Sequence, residues 1–132
     1  MEESLKDVNA LTLAYVGDAV FELMVRTYML EHGSGRVEKL HKKVTDTVNA
    51  GRQSQFVARL EPYFTEEELA VFHRGRNAKA MTAARHQSIL DYRRATGLEA
   101  VFGYLYLKGE YERMKELLLL CLSDEETIEH SV

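Results

Sequence analysis

Two acidic residues stand out because each lies close to glycine in an otherwise apolar run. Asp18 follows Gly17, and Glu99 lies between Gly97 and Gly103. A carboxylate in enclosed, apolar surroundings is costly unless a cation or a hydrogen-bond donor meets it. Two carboxylates brought together would repel each other unless a divalent cation lay between them, and Mg²⁺ prefers one or two carboxylates plus water. Asp18 and Glu99 are therefore the candidate metal ligands.

Each of these acids also has an ordinary explanation. Asp18 could be solvated on its helix or paired with Arg26, and Glu99 could be a surface glutamate, because it lies off the apolar stripe of its helix. Glu22, one turn after Asp18 on the same side, could join the pair, although no motif supports it. The two acids taken singly leave these alternatives open.

A short basic segment lies between the two acids in the chain. Residues 73–79 read His-Arg-Gly-Arg-Asn-Ala-Lys, with no acidic side chain. Such a segment can contact a nucleic-acid phosphate backbone, or it can be a solvated loop. The candidate contacts are Arg74, Arg76, Asn77, Lys79 and Arg85. Further basic residues fit an exposed helix face equally well: Lys39, His41, Lys42, Lys43 and Arg52.

Composition limits the class of protein. The chain has 132 residues, 45% hydrophobic and 29% charged, which predicts one soluble globular domain over 1–132. A formal net charge of −4 argues against general nucleic-acid binding, although the basic residues cluster in the middle of the chain. The single cysteine, Cys121, lies among leucines and is predicted to be a buried thiol. No apolar run reaches the roughly 18 residues of a membrane span, and no signal peptide precedes the domain, so we expect a cytoplasmic protein.

Apolar periodicity predicts an all-α bundle that must position these residues. The first helix is predicted over about Ala10–Leu30, capped by Asn9 and ended by Gly33. One of its stripes consists of Leu13, Val16, Val20, Leu23 and Thr27, with Asp18 roughly opposite. The remaining helices are expected over about 37–60, with a break near Asp46 or Gly51, and over 66–74, 87–107 and 110–122.

Local signals set several of the helix ends. Thr65 and Glu68 have the spacing of a capping box. Gly75 is predicted to end the helix that follows and to begin a loop that reaches about His86. The acidic tail from Ser123 is expected to fray.

Two segments of the chain match a known family in order and separation. Ala14-Tyr15-Val16-Gly17-Asp18-Ala19-Val20 resembles the ribonuclease III signature, in which a glutamate precedes an aromatic, an aliphatic, a glycine and an aspartate. Residues 98–107, which begin Leu-Glu-Ala-Val-Phe-Gly, resemble the second catalytic segment of that family. Val48-Asn49 and His73-Arg74-Gly75 fall where related segments are expected, so the resemblance covers about residues 8–122. Since this chain ends soon afterwards, it looks like the Mini-ribonuclease III branch, which lacks the double-stranded-RNA-binding domain.

The resemblance implies the fold and the activity of that family. The fold would be a ribonuclease III endonuclease-domain-like helical bundle, and the activity a Mg²⁺-dependent endoribonuclease that cleaves double-stranded RNA and leaves a 5′-phosphate. Asp18 and Glu99 would be its catalytic metal ligands. The branch suggests the precursor of 23S ribosomal RNA as substrate and a homodimer as the assembly. The interface is expected on the apolar second side of the first helix: Phe21, Val25, Tyr28 and Met29.

Two positions depart from the family pattern. The signature glutamate falls at Ala14 and the aspartate of the second segment at Thr96, so two of four expected acidic groups are missing. We therefore expect fewer protein ligands at the metal site, with one Mg²⁺ that keeps more water ligands rather than two metal ions. The departures leave two alternatives open. One is a non-catalytic RNA-binding module on the same fold, and the other is a helical protein-interaction bundle, which the negative net charge fits.

Overall fold

The protein is a bundle of α-helices. The computed structural model describes residues 5, 7–33, 35–78 and 88–131, with side chains as far as Leu122, and these residues contain helices and no strand. The predicted all-α fold is thereby confirmed. The helices are α1 (Ala10–His32), α2 (Val37–Val48), α3 (Ala50–Leu60), a 3₁₀ turn (Glu61–Tyr63), α4 (Glu66–Asn77), α5 (Ile89–Lys108) and α6 (Tyr111–Ser131). No helix in the described ranges combines the length and the apolar character needed to cross a membrane.

Helix α1 begins where its cap predicts. The Asn9 side chain accepts a hydrogen bond from the Leu11 amide at 2.7 Å, which satisfies one of the free donors of the first turn. The helix ends at His32, and Gly33 continues in an extended conformation. Both predicted ends are therefore close to those observed.

The predicted orientation of α1 was wrong. Its buried face consists of Ala10, Leu13, Ala14, Gly17, Phe21, Val25 and Tyr28. Leu23, which the sequence placed on the same stripe as Leu13, is 64% exposed. Because α1 is apolar nearly all round, periodicity alone did not select the inward side; the small residues Ala14 and Gly17 do, since they let another helix approach.

Helices α1 and α5 cross in backbone contact. A Cβ atom added to Gly17 would lie 1.6 Å from the carbonyl oxygen of Glu99, and one added to Gly103 would lie 2.0 Å from that of Leu13. Any side chain at either glycine would push the helices apart. The crossing brings the residue after Gly17, which is Asp18, next to the turn of α5 that carries Glu99.

The break between α2 and α3 lies at Asn49, between the two positions predicted for it. The Asn49 amide nitrogen donates to the carbonyls of Thr45 and Asp46 at the end of α2, at 3.2 and 3.0 Å. Its side-chain oxygen accepts from the Arg52 amide at 3.0 Å. One side chain thus ends one helix and caps the next, which fixes the register of α3.

Helix α4 begins with the predicted capping box but does not end at Gly75. The Thr65 hydroxyl accepts from the Glu68 amide at 3.1 Å, and the Glu68 carboxylate accepts from the Thr65 amide at 3.0 Å. The helix then continues to Asn77. Gly75 is a contact residue rather than a breaker, because an added Cβ would lie 2.8 Å from the Ala100 Cβ. The predicted loop therefore begins later, and the rest of it lies outside the described residues.

Helix α6 extends beyond its predicted end at Leu122, and its backbone is helical to Ser131. Its first part is tied to α4 by Arg113, which bonds both Glu68 oxygens at 2.8 Å and the Tyr63 carbonyl at 2.7 Å. Cys121 is fully buried, as predicted.

Candidate active site

The side chains of Asp18 and Glu99 meet at the crossing of α1 and α5. They lie within hydrogen-bonding distance of each other, and this contact contributes to the raised pKa of Glu99. Asp18 is exposed and Glu99 is partly buried. The pair predicted from two distant segments is thus brought together, with Asp18 on the solvent side.

The pKa of Glu99 is raised to about 8. The largest cause is burial, which disfavours the charged form, followed by the negative charge of Asp18 and the hydrogen bond with it. The hydrogen bond from Gln53 acts in the opposite direction. The Glu99 carboxyl is therefore mostly protonated near neutral pH, and no positively charged side chain is among the groups that shift its pKa.

Gln53 of α3 completes the surroundings of Glu99, and sequence reasoning missed it. Its Nε2 donates to Glu99 Oε2 at 3.3 Å, and the residue is 3% exposed. The single signal in the sequence is an amide on the apolar face of an amphipathic helix, which does not identify a partner. The contact appears only when α3 packs against α5.

The alternative partners of Asp18 are accounted for by the structure. Arg26 forms its ion pair with Glu22, at 2.6 Å, one turn further along α1. The pairing of Asp18 with Arg26 that the sequence left open is therefore not formed. Glu22 is occupied by Arg26 and does not join the Asp18–Glu99 pair.

The two departures from the family pattern lie inside the protein. Ala14 is 6% exposed and Thr96 is 8% exposed. The Thr96 hydroxyl donates to the Tyr92 carbonyl at 3.0 Å, within its own helix. Among the residues described, no group of three or more His, Cys, Asp and Glu side chains is placed to hold a metal ion.

The donors that are present fit one hydrated divalent cation. Two carboxylates with an unneutralised charge, one of them exposed, suit a cation such as Mg²⁺ that keeps several water ligands. A bound cation would also lower the electrostatic free energy of two carboxyl groups that lie this close together and partly shielded from solvent. Asp18 and Glu99 are the residues that would hold the ion.

The predicted basic contacts lie partly on α4. Arg74 and Asn77 are exposed, and the Arg74 guanidinium donates to the Val8 carbonyl at 2.6 Å. Arg76 donates to Asn77 Oδ1 at 3.2 Å. These residues are helical rather than in a loop, and no contact joins them to the acid pair in the part of the chain that is described. Lys79 and Arg85 lie outside it.

Sequence reasoning also missed a second polar contact between α3 and α5. The Arg94 guanidinium donates to the hydroxyl of Ser54 at 3.3 Å. Ser54 follows Gln53 directly, so two successive side chains of α3 each reach a polar side chain of α5. Spacing along the chain gives no signal for either pairing.

An open groove adjoins Asp18. It has a volume of about 850 Å³ and lies between the outward face of α1 and residues of α5 and α6. Its walls are mainly apolar and include Tyr15, Val20, Leu23, Tyr106 and Met114. Tyr15 is 82% exposed, so part of this apolar wall is open to solvent, beside the charged residues Asp18, Glu22 and Arg26 that also line the groove.

A family profile and several known proteins each match most of the chain. The profile of the Ribonuclease III domain family matches residues 11–110, a range that includes both acids. Mini-ribonuclease 3 of Clostridium tetani is 48% identical over 92% of this chain and 82% of its own length. Mini-ribonuclease 3 of Desulfitobacterium hafniense is 46% identical over 86% of this chain and 72% of its own.

A solved structure shares the fold. The crystal structure of a protein from Fusobacterium nucleatum superposes with a TM-score of 0.81 at 32% identity, and the match covers 92% of this chain and 98% of that one. The chain therefore belongs to the ribonuclease III family of endoribonucleases, within its Mini-ribonuclease 3 group.

Proposed function

We propose that this endoribonuclease cleaves double-stranded RNA in a reaction that requires a divalent cation, Mg²⁺, held by Asp18 and Glu99. The observation that carries the proposal is the meeting of these two carboxyl groups at the glycine crossing of α1 and α5. When bound, the cation supplies charge stabilisation at the scissile phosphate and activates a water molecule.

The two acids differ in their exposure and in what holds them. Asp18 is exposed and faces the solvent from which RNA arrives. Glu99 is partly buried and is held from the inside by the Gln53 amide. Because both belong to helices in backbone contact, their separation is fixed before substrate binds, which favours catalysis by pre-organised groups.

A homodimer would allow both strands of a duplex to be cut. The part of the chain described here has one such carboxylate pair, and a twofold axis would supply the second. The predicted interface is corrected: Phe21, Val25 and Tyr28 are buried in the core of the single chain, and Met29 is partly buried against that core. The outward face of α1 replaces it, since Tyr15, Leu23 and Leu30 are 82%, 64% and 66% exposed.

We assign RNA backbone contacts to Arg74 and Arg76, which lie beside α5. Gly75 packs directly against α5 between Gly97 and Ala100, so Arg74 and Arg76 flank a turn close to the helix of Glu99. An arginine has five N–H donors, and the bond from Arg74 to the Val8 carbonyl leaves others for phosphate. Asn77 and, from the sequence alone, Lys79 and Arg85 complete the proposed set. A-form RNA would be recognised mainly by shape and by its 2′-hydroxyls.

The substrate that we propose is the precursor of the large-subunit 23S ribosomal RNA, with products that carry a 5′-phosphate. The support is the resemblance to the Mini-ribonuclease III branch and the likeness to proteins named Mini-ribonuclease 3. Duplex segments from that precursor should be cut in preference to unrelated duplexes of equal length.

The test is incubation of the purified protein with a long RNA duplex in Mg²⁺ or in EDTA. Cleavage in Mg²⁺ alone is expected, and the cut should be lost in Asp18→Asn and Glu99→Gln proteins that remain folded by circular dichroism. Binding without cleavage under either condition would indicate a non-catalytic RNA-binding module instead. No binding even at low salt would indicate a protein-interaction bundle.

A further inference from the structure

Gln53 is a buried polar residue on an apolar helix face. It is 3% exposed, and its neighbours on the buried face of α3 include Ala50, Phe56 and Val57. A buried amide costs free energy unless it is hydrogen-bonded. Its bond goes to Glu99 of α5, with 3.3 Å between Nε2 and Oε2. The hydrogen bond to Glu99 therefore offsets the free-energy cost of burying the Gln53 amide.

The element that carries Gln53 is rigidly placed. Asn49 caps α3 and fixes its first turn. Phe56, one turn after Gln53, packs against Phe21 of α1 with ring centroids 6.5 Å apart. The same helix thus also touches α1, which carries Asp18, while its amide reaches Glu99 of α5. A donor on such an element selects one orientation of the carboxylate that it holds.

The charge of the donor also matters. A lysine or arginine at this position would donate a similar bond but would neutralise the acid pair and repel a cation. Glutamine is neutral, so the bond orients Glu99 and leaves the negative charge of the pair uncompensated. Glu68 of the same protein has a charged donor instead, because Arg113 both hydrogen-bonds and neutralises its carboxylate.

We infer that Gln53 is a positioning residue, whose amide holds the Glu99 carboxylate beside Asp18 and keeps the charge of the pair available to a divalent cation. The inference rests on the proposed function, since it gives Gln53 its role in cation binding at that site. Gln53 itself acts through Glu99 and touches neither RNA nor the reacting phosphate.

The test compares Gln53→Met with Ser54→Ala. Methionine keeps the volume and removes the donor, so the dissociation constant for Mg²⁺, measured by calorimetry without RNA, is expected to rise about 10-fold. The kcat for a duplex should fall by a similar factor while KM for RNA stays unchanged. Ser54→Ala removes the adjacent contact to Arg94 but none to Glu99, so its Mg²⁺ affinity and kcat should match those of the wild type.

Three outcomes would overturn the inference. If the wild type binds Mg²⁺ and cleaves duplex RNA and Gln53→Met does both equally well, Gln53 has no positioning role and the proposed function stands. An equal loss of Mg²⁺ affinity in Ser54→Ala would assign the effect to general loosening of the α3–α5 contact. A wild type that binds no divalent cation removes the proposed function together with the inference.

A measurement on the wild type covers the case in which Gln53→Met does not fold. In a ¹H–¹⁵N spectrum with assigned side-chain amides, the Gln53 protons should exchange slowly with solvent and should shift when Mg²⁺ is added. An amide that exchanges freely and does not respond to Mg²⁺ would contradict the inference.

Discussion

Two glutamates of this protein, the buried Glu68 and the partly buried Glu99, have opposite surroundings. Glu68 bonds Arg113 through both oxygens and the Thr65 amide through one of them. Burial raises its pKa, but these bonds outweigh that effect and hold the pKa below the ordinary value. Glu99 lies beside Asp18 and receives a neutral amide, and its pKa is raised to about 8. The first carboxylate has a positively charged partner within the chain, whereas no such group is among those that shift the pKa of the second, and this difference separates a structural acid from a candidate functional one.

The largest effect expected from this contrast is on catalysis. Glu99→Gln removes the charge that would hold the cation and should lower kcat for duplex RNA by about 10³-fold or more. Single-turnover cleavage of a labelled duplex in saturating Mg²⁺ measures it. The same substitution should leave the helix content unchanged, since glutamine has the same shape as the acid.

Glu68→Gln is the matched control, because it makes the same chemical change in the glutamate that Arg113 neutralises. At a temperature where this variant is fully folded, its kcat should stay close to that of the wild type. A comparable loss of cleavage in the Glu68 variant would show that the two sites do not differ in the way that their surroundings indicate.

The next effect concerns the crossing that makes the acid pair. Gly17→Ala places a Cβ atom 1.6 Å from the Glu99 carbonyl oxygen, so α1 and α5 must separate. We expect a cost of about 3 kcal/mol or more in the free energy of unfolding, measured in urea. Gly51→Ala is the control, because its added Cβ would meet only Asn49 Oδ1 at 3.5 Å. That change should be neutral or slightly stabilising, and equal effects at the two glycines would argue against a tight crossing.

The third effect is on the satisfied acid. Arg113→Met leaves Glu68 buried without its guanidinium partner and should lower the free energy of unfolding by about 3 kcal/mol. The control is Lys42→Met, which breaks an ion pair whose side chains are 78% and 66% exposed. Its effect should remain within about 0.5 kcal/mol. If both losses were the same size, the Arg113–Glu68 contact would count as an ordinary surface pair.

Capping residues in the sequence correctly predicted the helix ends that depend on hydrogen bonds within one turn. Asn9 and the Thr65–Glu68 capping box set helix ends through bonds within one turn, and both were confirmed. The approach of Asp18 and Glu99 was predicted from family motifs and is observed in the structure. Their catalytic role stays a prediction.

What the sequence did not predict depends on packing between helices. The inward side of α1 is chosen by small residues that match α5, and the apolar pattern contains no such information. Gly75 was predicted to end its helix, because the sequence does not show that it contacts the Ala100 Cβ of another helix. Gln53 was missed for the same reason, since its partner is defined only after α3 has docked.

The smallest expected effect is on stability as a function of pH, and it has opposite signs at the two acids. The pKa of Glu99 in the folded state, about 8, lies above its ordinary value of 4.5. Its stabilising contribution is therefore fully present below about pH 4.5 and is lost as pH rises through about 8. Glu68, with a lowered pKa, contributes stability above about pH 4.5 that is lost as pH falls through its folded-state pKa.

In EDTA at pH 9, Glu99→Gln should accordingly be more stable than the wild type by roughly 1–3 kcal/mol, less than the full shift implies because water reaches Asp18. The difference should be small at pH 5, and urea unfolding at the two pH values measures it. Adding Mg²⁺ at pH 9 should stabilise the wild type and not the variant, because the cation binds the folded acid pair. Parallel stability curves for the two proteins from pH 5 to pH 9 would mean that Glu99 is as well satisfied as Glu68, and the reason to place a cation beside it would be gone.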